Sequence, residues 1–249
     1  MIGELTMRFV IVVALVCFAA AAFGAPEMES PRYQGGGRVW APLDDPNLSV
    51  KWVQTPVPYP YGNALASQDD QVYPFFAQMA DDFLCVETGP ILAIEWWSTY
   101  WNPGPPPPPG FFFMIEFWTD NGLPYPDSHP ETLIYQEPCL VFTEDYDEDY
   151  QQFHYVQYLD NPFFQEQGNI YWISIYAVFP YPPQHGWCVG EPEWADAANF
   201  RSAFFGWPEW TSSEIVWGVR YEMAFVLYGP FVPTPVEETS WGNIKAMFR

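Results

Sequence analysis

The sequence predicts an all-β fold, an antiparallel β-sandwich of jelly-roll type in a single domain, and three observations lead there. Aromatic residues make up 20% of the chain, and Phe, Tyr and Trp pack well on pleated surfaces. The 28 prolines and 17 glycines are spread as punctuation, which suits many short strands and argues against long helices. From residue 51 to residue 228, apolar runs bounded by turn residues recur, and none carries a convincing helical stripe.

Residues 1–24 read as a secretory signal peptide. Arg8 precedes an unbroken apolar run of 15 residues, 9–23, shorter than the about 20 a spanning helix needs. Ala22 and Gly24 then supply a small-residue cleavage site. The mature chain is therefore expected to be secreted or held at the cell surface or in the periplasm, with no membrane span once the leader is gone. Residues 25–50, which include Gly35-Gly36-Gly37, read as a flexible lead-in. The sandwich is assigned to 51–229, and 230–249 to a Pro-rich linker and short tail.

Within the sandwich, strands are expected at 51–55, 79–85, 91–101, 111–119, 132–135, 140–143, 153–159, 170–179, 186–189, 200–205 and 223–228. A single turn of helix is conceivable at 194–198. The stretch NPGPPPPPG (102–110) reads as a stiff connector between neighbouring strands, because proline fixes φ and offers no ladder donor. Segment 91–101 is apolar on both faces: alternation puts Ile94, Trp96 and Tyr100 on one and Ala93, Glu95, Trp97 and Trp101 on the other. A covering layer or a ligand must meet the second face.

Charge narrows the partners. Between Trp52 and Ile244 the basic residues are Arg201 and Arg220, against 26 Asp and Glu. Nucleic acid and anionic lipid are thereby excluded, since both are held through Lys and Arg. A glycan or another envelope component remains, and flat rings beside polar groups suit sugars. Trp96, Trp97, Tyr100 and Trp101 are the candidate glycan-binding residues. After leader removal Cys85, Cys139 and Cys188 remain, an odd count from which one disulfide and one free thiol are expected in an oxidising compartment.

The chain carries no nucleophile elbow, zincin motif or phosphate loop. A non-catalytic module is expected, with a purely structural or adhesive sandwich and a carboxylate-pair glycoside hydrolase as alternatives. Calcium is the expected cofactor, since acidic exported β-domains can pin loops with hard oxygen donors. The alternation of Asp145, Asp147 and Asp149 fails as an EF-hand, because Tyr150 and Val156 occupy the places that Gly and Glu require. Asp81 and Asp82, meeting Glu222 at the start of the closing strand, are the candidate metal ligands. The alternative role for Asp82 is to satisfy backbone amides at a strand entry.

The succession MADDFLC (79–85), GPILAIEWWSTYWN (89–102), FFFMIEFWTDNGLPYP (111–126), NPFFQEQGNIYWISI (161–175), HGWCVGEPEWADAANFR (185–201) and YEMAFVLYG (221–229) resembles a family of uncharacterised exported bacterial domains, a domain of unknown function. Ser98-Thr99, Glu222 and Cys188-Val189 depart from the pattern. The resemblance implies a secreted or cell-surface β-sandwich and carries no catalytic residues with it.

Overall fold

The computed structural model describes residues 41–57, 64–72, 75–102, 109–147 and 151–231. The leader, most of the proline connector, Asp149 and the C-terminal tail lie outside these residues. Eight strands form the framework. One sheet orders β1 (Leu48–Pro56), β15 (Phe225–Pro230), β5 (Gly89–Trp101) and β9 (Gln152–Gln165). The facing sheet orders β4 (Phe75–Leu84), β10 (Ile170–Val178), β6 (Phe112–Asp120) and β7 (Pro130–Cys139). Every pairing within these two quartets is antiparallel. Counted along the chain, the framework strands run first, last, third, sixth and second, seventh, fourth, fifth, which is the strand order of a jelly roll.

Short strands extend both sheets. β8 (Thr143–Asp147) edges β9, and β12 (Gly190–Glu191) edges β1. β11 (Gln184–Cys188) continues along β5 and carries β2 (Ala64–Ala66). β3 (Gln68–Asp70) wedges between β4 and β10, while β13 (Asn199–Ser202) and β14 (Trp207–Ser212) build outward from β4. The chain changes sheets at Ser67, whose hydroxyl donates to the Ile175 carbonyl at 2.7 Å and accepts the Met79 N–H at 3.3 Å.

The core follows strand alternation. Met79 and Phe83 of β4, Ile94 and Trp96 of β5, Phe113 and Phe117 of β6, and Phe225 and Leu227 of β15 meet between the sheets, all buried. Trp96 meets Phe113 edge-on at 5.0 Å and stacks on Tyr155 at 5.4 Å, while Phe117 lies flat on Phe163 at 4.2 Å. Each such pair adds about 0.5–1.5 kcal/mol beyond the area it hides.

Both outer faces are also covered. Ala93, Trp97, Val226 and Tyr228 form a second apolar cluster under Leu43 and Leu48, and the Leu43 N–H donates to Tyr228 Oη at 3.1 Å. On the other sheet Arg201 of β13 lies 4.4 Å from the Trp210 ring and 5.0 Å from the Trp118 ring. Beneath it the buried Glu116 carboxylate accepts from Gln78, Trp118, Gln136 and Tyr176, a saturated acceptor.

Several sequence expectations are corrected. Residues 140–142 link β7 to β8 with Leu140 and Val141 exposed, because an apolar pair between two strands needs no ladder. Residues 194–198 are not helical; the short helix is α1 (Ser213–Trp217), with the Ser212 hydroxyl accepting the Glu214 N–H and Gly218 closing it at φ 73°. Polar β3 and the turn-flanked β2 and β14 carried no apolar run to reveal them. All three described cysteines are free and buried: Cys85 and Cys139 sit in the main core and Cys188 in the outer cluster, each packed as a small apolar group. No described helix is long and apolar enough to cross a membrane.

Candidate metal centre

Asp81, Asp82 and Glu222 converge, each offering an oxygen within 4.8 Å of the others. All three are at most 1% exposed. Their meeting crosses the sandwich. Asp81 and Asp82 lie on β4, in register with Ile173 and Trp172 of β10, whereas Glu222 approaches on the segment that opens into β15 of the facing sheet.

Hydrogen bonds fix two of the carboxylates and leave the third bare. Asp81 Oδ2 accepts the Met223 N–H at 2.7 Å and Gln54 Nε2 at 3.1 Å, and its Oδ1 accepts the Asp82 N–H at 3.1 Å. Gln54 of β1 also donates to Glu222 Oε2 at 3.2 Å, its amide held in that orientation because Trp52 Nε1 donates to its Oε1 at 2.7 Å. Glu222 Oε1 accepts Arg220 Nε at 3.1 Å, and the same guanidinium ties the preceding loop through the Trp194 and Ala195 carbonyls. Neither Asp82 oxygen has a hydrogen-bond partner, although both are buried. The amides of Asp196 and of Asp82 itself lie near enough to ease its charge without completing a hydrogen bond.

Electrostatics follow from this geometry. Burial pushes Asp81 up to about 7, with its hydrogen bonds pulling the other way. Burial, then the charges of Asp81 and Asp196, push Asp82 to about 10, and the Asp196 amide offsets only part of this. Burial, then Asp81, push Glu222 to about 10 despite Arg220. Without a cation the site holds protons at neutral pH; a divalent ion can take their place. The donors are all carboxylate oxygens, hard ligands that suit Ca²⁺ or Mg²⁺ and not thiophilic metals. Ca²⁺ accepts irregular shells of six to eight oxygens, which a rigid trio of carboxylates meets more readily than an octahedron.

The aromatic residues expected to face a glycan do not share a surface. Trp96 is wholly inside the core, and Tyr100 bonds through its hydroxyl to Tyr155 at 2.8 Å. Trp97 points to the opposite face, stacked on His154 at 4.9 Å, with His154 Nε2 3.0 Å from Glu95. Trp101 covers β11 so closely that a Cβ on Gly186 would lie 2.1 Å from its ring. Alternation along β5 splits the quartet. Sequence reasoning missed Gln54 and Arg220 at the metal centre; Arg220, one of the two basic residues between Trp52 and Ile244, carried a signal, and Gln54 carried none.

The family model for a domain of unknown function, DUF7901, matches residues 50–228. The chain belongs to this family. No curated protein and no solved structure matches it. The DUF7901 match reaches to within two residues of both ends of the framework, Leu48 and Pro230. It therefore includes all three clustered carboxylates together with Gln54 and Arg220.

Proposed function

We propose that this DUF7901 domain is an exported, non-catalytic binding module of the cell surface or periplasm, held rigid by one calcium ion at Asp81, Asp82 and Glu222. The observation that carries the reading is the buried convergence of three carboxylates, one of them with both oxygens unpartnered. Such groups are costly unless paired, protonated or bound to a cation. The ion would tie β4 to the entry of β15 and so clamp one sheet to the other. Burial also weighs against the hydrolase alternative, because carboxylates at most 1% exposed offer no room for a sugar and its water between them. An envelope component, glycan included, is the ligand class in keeping with an exported acidic module, and the rings that could meet it lie away from β5.

Calorimetric titration of chelator-stripped protein with Ca²⁺, beside thermal unfolding, tests the proposal. One site is expected, and at a thousandfold excess over Kd a stabilisation of about 4 kcal/mol, or roughly 8–16 °C for a domain of this size. Absence of both heat and thermal shift would reject calcium. Hydrolysis of a polysaccharide that is lost in Asp82→Asn would reject the non-catalytic reading.

A further inference from the structure

A cavity of about 570 Å³ opens at the end of the sandwich where Asp70 closes β3 and Phe75 begins β4. Asp81 lies six residues further along β4, roughly 20 Å away, so this cavity and the carboxylate cluster are separate. Its walls include Phe75, Phe204, Phe205 and Tyr181. The last three are exposed by 58%, 47% and 41% respectively, unusual for large rings in a domain that buries most of its own.

Ring geometry decides what these walls can hold. Phe75 stands at 76° to Phe204 and 89° to Phe205, and Phe204 stands at 85° to Phe205, with centroids 5.0–5.5 Å apart. Three mutually perpendicular rings make the corner of a box. A sugar needs one broad flat face, whereas a corner of rings presents π-faces and edges around a compact, rounded group.

Charge sets the sign. Asp70 lines the cavity, 1% exposed; its Oδ1 accepts the Val72 N–H at 3.1 Å, and its Oδ2 is buried with no partner. Among the described residues that line the cavity there is no Lys or Arg to offset this carboxylate. An anion is excluded, and a cation gains from both the rings and the buried charge. Because the carboxylate lies under the wall, a ligand reaches its field more easily than its lone pairs. A methylated ammonium, which has no N–H to satisfy, loses nothing by that.

We infer that this cavity is a binding site for a methylated organic ammonium group. The inference deepens the binding-module reading and names its ligand class, but does not depend on the calcium ion.

The test measures binding of choline and tetramethylammonium to the full chain by calorimetry, with 3,3-dimethylbutanol as the uncharged isostere of choline and methyl glucoside as the sugar. Saturable binding of both ammonium ions is expected, with the alcohol at least roughly tenfold weaker, the factor that about 1.4 kcal/mol of cation–π and charge attraction supplies. Phe204→Ala and Asp70→Asn should each weaken choline by a similar factor. Asn keeps the acceptor for Val72, and Phe204 is exposed enough that its truncation leaves the core intact. Binding should persist in chelator, so failure of the calcium site leaves this result standing. Retention on phosphatidylcholine vesicles would assign the group to a lipid headgroup, and binding in solution without retention to a free solute. Equal affinity for the uncharged alcohol, preference for methyl glucoside, or no saturable ammonium binding overturns the inference.

Discussion

Asp82 and Glu116 show how the same side-chain chemistry acquires opposite meanings on two strands separated by β10. Both are buried acids, yet Glu116 accepts from four side chains while Asp82 accepts from none. Only the second is left wanting a cation. Asp82→Asn should therefore stabilise the metal-free protein by about 1–3 kcal/mol, relieving an uncompensated buried acid. It should also abolish the thermal response to Ca²⁺, read by calorimetric unfolding with and without chelator. His185 offers a contrasting case. Wholly buried, with Nδ1 2.6 Å from the Ser67 carbonyl and Nε2 2.8 Å from Ser98 Oγ, it is pulled down to about 4 by burial. Its contribution to stability is present above its ordinary value of 6.5 and fades as pH falls toward 4. His185→Leu should remove that acid sensitivity and cost about 1–3 kcal/mol, since it strands the buried Ser98 hydroxyl, while the Ser67 carbonyl keeps the Ala177 N–H at 3.1 Å.

At the level of elements, the closing strand β15 and the small β12 hold the metal centre in register. The Gly190 N–H donates to the Glu222 carbonyl at 2.8 Å, and a Cβ on Gly190 would sit 2.6 Å from the Met223 carbonyl oxygen. Gly190→Ala must push that backbone aside, carrying Glu222 with it. A loss of about 1–3 kcal/mol is expected, with at least tenfold weaker Ca²⁺ binding in the same titration. Trp96, wedged between Phe113 and Tyr155, ties β5 to the facing sheet. Trp96→Ala should cost about 3–5 kcal/mol by chemical denaturation while leaving choline binding unchanged at the far cavity.

Across the whole molecule the acid cluster sets the pH profile. Asp82 and Glu222 hold protons to about 10 when folded, against about 4 in an unfolded chain. Between those limits the metal-free folded state binds the extra protons, so its stability is fullest at the acid end and declines as pH rises, by up to about 1.4 kcal/mol per pH unit for each proton. Saturating Ca²⁺ should flatten that decline, because the cation replaces the protons. Thermal unfolding from pH 5 to pH 9 in chelator and in calcium measures both curves, and parallel curves would separate the cluster from any cation.

The sandwich was legible in the chain alone, because a side-chain period of two, rings suited to pleated surfaces and regular turn residues are local properties. It also picked out Asp81, Asp82 and Glu222, though by imagining neighbouring strands in one sheet. In the structure they meet between sheets, from β4 and the entry of β15. Which groups are left unsatisfied was settled by long-range packing. Whether Trp96 meets solvent or Tyr155, whether the cysteines pair, and whether Asp82 finds a donor all depend on what packs from distant parts of the chain. Burial and hydrogen-bond completion are properties of an environment, and an environment exists only once the two sheets have closed.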